Sequence, residues 1–183
     1  MITRFVLITL FVVFGMSQPS MAADDTNAGT TIKIAVVDIQ QLMGASKAAK
    51  SIQSQGKDLR NSYQKKISKI EKDLKELEKK LVSLPKDTSK EDFLKQREKF
   101  QKRLVEGQKE VVELNQKLDK AIGSALNKLR DEIVEIVSDM ATDKKYDLII
   151  SRADVVIVSK SIDITGDVMS KLNKSVSSIK VRD

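Results

Sequence analysis

The sequence predicts an α+β fold, mainly α, in which a small β body carries a long projecting antiparallel coiled-coil hairpin and is completed by oligomerisation. Three observations predict it. Between Tyr63 and Leu84 the apolar residues step alternately by four and three through a densely charged stretch, the seam of a coiled coil. Short β-branched runs stand on either side of this stretch, at Ile32 to Ile39, Tyr146 to Ile150 and Val155 to Val158. A few strands and one small helix leave sheet edges open and little core behind them, so self-association through a shared sheet or barrel is the natural remedy.

The first 22 residues read as a secretory signal peptide. Arg4 precedes an apolar run from Phe5 to Phe14, and Ser20 and Ala22 place small residues for cleavage after Ala22. The alternative, an uncleaved anchor, would need roughly 18 or more apolar residues. Residues 23–31 are small and polar and read as a disordered leader. The run Ile32 to Ile39 is a strand with Ile34 and Val36 on one face and Ala35, Val37 and Ile39 on the other, apolar on both as in an inner strand. Asp38 at its end has no His, Cys or second acid placed with it and reads as a turn or cap residue.

The hairpin occupies residues 45–125. Its first helix has no proline and only Gly56 as glycine, and its seam is Tyr63, Ile67, Ile70, Leu74, Leu77, Leu81 and Leu84. The tip lies near residues 85–88, where Pro85 disfavours helix before it; Thr88 with Glu91 fits a capping box for the second helix. The seam continues through Phe93, Phe100, Leu104, Val111, Leu114 and Leu118, with Arg97 and Gly107 as irregular positions. Equal counting from the turn sets Arg97 opposite Glu76, an ion pair that would fix register for no more than about 1 kcal/mol. A helix of about 50 residues spans roughly 75 Å. A globule of this size has a radius of gyration near only about 15 Å, so the arm must project.

Residues 32–44 and 126–174 form the body. From Ile122 through Leu126, Leu129, Ile133, Ile136, Val137 and Met140 the apolar stripe widens to the 3.6-residue period of a helix on a globular core. Lys144 and Lys145 suit the helix end, two strands follow, and Thr165 is the expected N-cap of a last helix carrying Val168, Met169 and Leu172. The tail, 175–183, is polar and basic and is expected to fray. Gly56 and Gly123 fall at comparable heights near the arm's base, as a hinge or as glycines tolerated on a helix stabilised by its partner.

Composition narrows the function classes. The chain has no Cys and no His, which removes most metal and nucleophile chemistry and any disulfide. Losing Arg4 with the signal peptide lowers the net charge from +7 to about +6. A basic protein can bind nucleic acid, but export and the lack of stacking aromatics argue against it. No enzyme motif and no cofactor site is present, and no cofactor is expected.

The order KIAVVDIQQLM (Lys33 to Met43), charged hairpin, YDLII (Tyr146 to Ile150) and DITGDVMSKLN (Asp163 to Asn173) resembles the Skp/OmpH family of periplasmic chaperones over essentially the whole mature chain. The resemblance implies a homotrimer with a β-barrel body and three helical tentacles around a cavity that holds unfolded outer-membrane β-barrel proteins without ATP. It implies a periplasmic location after cleavage near Ala22. Ile34, Val36, Leu148, Ile150 and Val156 are then the body residues that pair between subunits. The outer-membrane assembly machinery or an anionic membrane surface are further partners the reading admits. Where some members carry a basic cluster suggested to bind lipopolysaccharide, this chain has Leu118-Asp119-Lys120-Ala121, so that property is not carried over.

Within this reading Lys65, Lys66, Lys69, Lys95, Lys99, Lys102 and Arg103 are client-contact candidates, although any charge-rich helix needs such a solvated face. Ile67, Ile70, Leu74, Leu77, Leu81, Phe100, Leu104, Val111 and Leu114 are assigned to zipping the two helices together, with client binding as the alternative. The competing function is an exported coiled-coil adaptor that bridges envelope components through fixed contacts.

Overall fold

The computed structural model describes residues 31–182; the expected signal peptide and nearly all of the expected leader lie outside them. Strand β1 (Ile34–Val37) leads into α1 (Ile39–Ala45), then the long helices α2 (Lys47–Val82) and α3 (Lys90–Lys144), strand β2 (Leu148–Ser151), a 3₁₀ turn (Arg152–Asp154) and α4 (Thr165–Ser175). At 1.5 Å per residue α2 is about 54 Å long and α3 about 82 Å.

The β run stops two residues early because Asp38 turns the chain. Its carboxylate accepts the N–H of Gln41 at 2.8 Å and caps α1, as its composition predicts. Ser46, fully buried, then breaks α1 from α2 and caps the latter through Ala49 N–H at 3.2 Å. At the tip the cap falls on Ser89, not Thr88. Its hydroxyl accepts the N–H of Asp92 at 3.0 Å and donates to that carboxylate at 2.7 Å, a cap one residue later in which the acid bonds the serine hydroxyl and not its backbone N–H.

β1 and β2 pair in parallel, Ile34 with Leu148 and Val37 with Ser151. The third strand expected at Val155 to Val158 does not form. Ile162 to Ile164 takes its place on the other side of β1: Val36 N–H donates to Ile162 O at 2.8 Å, and Ile164 N–H to Val36 O at 2.9 Å. β1 is thus an inner strand, with Ala35, Val36 and Val37 all buried. Val156 and Ile157 instead stand on a loop, 94% and 87% exposed.

The core lies between β1 and the four helices. Leu42 of α1, Ile52 of α2, Leu129, Ile133 and Met140 of α3, and Val168 and Leu172 of α4 meet there. A fully buried side chain of this kind contributes about 1.5–3 kcal/mol, and the stripe of α3 delivers three of them. α3 ends where Lys145 takes a left-handed conformation, φ 52°. Lys33 secures that end to β1, its ammonium donating to Lys144 O at 2.6 Å and lying 4.9 Å from the Tyr146 ring centroid.

Two expectations near the C-terminus are corrected. Thr165 does not cap α4 with its side chain; its hydroxyl accepts Asp38 N–H at 2.9 Å and ties α4 to the end of β1. The tail does not fray over Val176 to Val181, since Ile179 is buried in the core and Val176 and Val181 pack against it.

Candidate functional site on the helical arm

Most of α2 and the first half of α3 form an antiparallel pair. Gly56 faces Ile122, Ile70 faces Gly107, and Asp73 faces Arg103, so numbers rise on one helix as they fall on the other. The seam is that of the sequence. Tyr63, Ile70 and Leu118 are buried, Ile67, Leu74, Leu77, Leu81, Phe100, Leu104, Val111 and Leu114 are half-buried, and Phe93 near the tip is 42% exposed. A two-helix arm has one seam and no third neighbour, so most of its seam residues stay partly exposed.

Gly107 explains its own irregularity. A Cβ there would stand 2.8 Å from Ile70 Cγ2, so glycine lets the Ile70 side chain rest on the α3 backbone. The cross-arm ion pair joins Arg103 to Asp73 at 3.7 Å, and Arg103 also donates to Glu110 at 3.1 Å. Arg97 is exposed. The observed pairs run about one helical turn out of step with equal counting from the tip, which moves Arg97 away from Glu76.

The seven basic candidates are not gathered at one place. Lys66, Lys69 and Arg103 line a cleft of about 410 Å³ between the two helices, together with Ile70, Asp73 and Glu110. Lys65 and Lys69 border a second, outward groove on α2 with Gln64 and Lys72. Lys95, Lys99 and Lys102 lie further toward the tip, exposed, and Lys95 pairs with Glu91 at 2.9 Å. Arg103 is the half-buried member, held by the two acids.

A second apolar face on α3 lies outside the heptad seam. Leu94, Val105 and Val112 on α3 are 48%, 65% and 54% exposed. Their spacings of eleven and seven residues keep them on one face, roughly a quarter-turn from the seam. The signal was present as the doublets Phe93-Leu94, Leu104-Val105 and Val111-Val112, in which the seam uses only the first residue. On the body, Ile34, Leu148, Val156 and Ile157 are exposed while Ile150 is half-buried. Val36, at 2%, is already covered within one chain and is withdrawn from the surfaces a second copy could bury.

Together these features define a class: a two-helix arm with charged and apolar outer faces, rooted in a small parallel-sheet body whose outer edge is open. Residues 33–172 match the family model of the outer membrane protein OmpH (OmpH-like). A Skp-like protein of Pseudomonas aeruginosa is 31% identical over 172 residues, covering 94% of this chain and 96% of its own. The fold is also similar to the crystal structure of an OmpH-like candidate outer membrane chaperone from Caulobacter crescentus, with a TM-score of 0.76 at 14% identity over 81% of this chain and 88% of that one. The chain belongs to the OmpH family.

Proposed function

We propose that this protein is a periplasmic holding chaperone that binds unfolded outer-membrane β-barrel proteins between its arms, without ATP, as a homotrimer. The observation that carries the reading is the face of Leu94, Val105 and Val112, apolar and uncovered on a projecting arm that is bordered by residues of both charges in a chain of net charge +7. Family membership and the relatives' descriptions as Skp-like and as a candidate outer membrane chaperone support it.

A barrel protein in transit exposes alternating apolar strands and unpaired backbone groups that aggregate when left free. Shallow apolar contacts spaced along an arm bind such a chain weakly at many points, and basic charge draws an acidic client at long range. Weak, multiple contacts let go without an energy source, and insertion into the membrane supplies the pull. The exposed Val156, Ile157 and Leu148 of the body are the surface that association of three chains would cover.

The test combines light scattering of the mature chain with dilution of a urea-unfolded outer-membrane barrel into buffer. A trimer that keeps the barrel soluble near stoichiometric ratio, with no nucleotide present, supports the reading. A chain that protects no barrel, whatever its mass, refutes it and favours the envelope adaptor.

A further inference from the structure

The last turn of α4 and the segment that follows it run along one face of α2 in three steps. Asn173 Oδ1 accepts the N–H of Lys47 at 2.7 Å. The hydroxyls of Ser178 and Ser51 meet at 2.7 Å. The Gln55 side chain then takes both main-chain groups of the tail, its Nε2 donating to Ile179 O at 2.8 Å and its Oε1 accepting Val181 N–H at 3.1 Å. Positions 47, 51 and 55 are successive turns of one helix face, and the tail climbs them in order, away from α4 and toward the arm.

Gln55 acts here as one residue of a parallel strand would, accepting and donating to residues two apart on its neighbour. A second bond from Nε2 to Ser51 Oγ at 2.9 Å fixes the amide's orientation. Ile179, 4% exposed, anchors the tail in the core between these steps. The uppermost step is next to Gly56, which Ile122 approaches so closely that a Cβ would lie 3.3 Å from its Cδ1. The family match stops at residue 172, before every one of these tail residues.

We infer that Asn173 to Val181 is a strap that binds the root of α2 to the body, so that the arm begins to flex only beyond Gln55. The three steps span the eight residue rises from Lys47 to Gln55, about 12 Å of helix, and connect α4 directly to the arm. This inference is independent of what the arm binds. A chaperone and an adaptor would both use it to set arm spread.

The chain has no cysteine, so nitroxides on Gln40→Cys and Lys72→Cys report the α1-to-arm distance in the full chain, diluted with unlabelled chains. Gln55→Ala is expected to broaden that distribution and to speed amide exchange at Val181 about tenfold, the fold-change for one net hydrogen bond. A chain ending at Ser175 is expected to broaden it further. Because that truncation also removes Ile179 from the core, Gln55→Ala decides if the shorter chain unfolds. Faster exchange at Val181 with an unchanged distance distribution overturns the strap, as does a folded truncated chain whose distribution matches the full-length one.

Discussion

Ile70 rests on the backbone of Gly107, near enough that a methyl group on the glycine would stand 2.8 Å from its Cγ2. The contact sets how closely the two helices of the arm approach. Gly107→Ala improves helix propensity by about 1 kcal/mol, yet it forces a β-branched side chain with little rotamer freedom out of place. The substitution is expected to lower thermal stability with Ile70 present and to raise it on an Ile70→Ala background. Equal shifts in both backgrounds, read from melting curves by circular dichroism, would show that the contact does not govern the approach.

Arg103 crosses the arm to Asp73 while also holding Glu110. It is half-buried and each acid is about half exposed, so the pair is expected to couple by no more than about 1 kcal/mol. A double-mutant cycle of Arg103→Met with Asp73→Asn should give that coupling in low salt and lose most of it in 1 M salt. A coupling that persists in high salt would mean the guanidinium acts through packing of its stem.

The arm was largely legible because heptad spacing is a local signal, and Ile67 to Leu81 needed no tertiary information. The order of strand, hairpin, strand and helix was legible for the same reason. The third strand was not. Val155 to Val158 has the β-branched composition of a strand, but β1 takes its hydrogen bonds from Ile162 and Ile164, a choice made by the length of chain from β2 and invisible to propensity. Likewise the polar tail carries a single isoleucine, Ile179, which is buried in the core and whose carbonyl meets Gln55 more than a hundred residues earlier.

Gly56 and Gly123 share a height but not an environment. A Cβ on Gly56 would touch Ile122 at 3.3 Å, whereas Gly123 has nothing within 4 Å. Both lie inside uninterrupted helices. Gly123→Ala is therefore expected to stabilise the chain by up to about 1 kcal/mol, and Gly56→Ala to gain less or to destabilise it. If the pair forms a hinge, the double substitution also narrows the arm's distance distribution; an unchanged distribution reduces both to packing and tolerance.

Asp163 gives the body an acid-sensitive joint. Hydrogen bonds from the Thr165 side chain and then its backbone N–H, with a lesser pull from Arg152, hold its carboxyl below the ordinary value of 3.8. A carboxyl depressed on folding adds stability that is present above the unfolded value and is lost as pH falls through the folded one. Melting temperature is expected to fall between about pH 5 and pH 3 more steeply in the parent chain than in Asp163→Asn. The group is largely exposed, so the difference is small. Parallel pH profiles for the two chains would remove Asp163 from the account of acid sensitivity.

Val156 and Ile157 are the most exposed large apolar residues of the described chain, at 94% and 87%. They follow a 3₁₀ turn whose Arg152 donates to Val155 O at 2.7 Å, so the loop that presents them is held in shape. Burying such a side chain on association is worth about 1.5–3 kcal/mol, repeated in every subunit of a closed ring. If three chains associate as proposed, Val156→Asp with Ile157→Asp is expected to reduce the mass in solution to that of a single chain. The circular dichroism spectrum should stay unchanged, because neither side chain enters the subunit's own core. A trimeric parent whose mass the variant keeps would place the interface elsewhere on the body, with the sheet edge at Ile34 and Leu148 the next exposed apolar surface to alter.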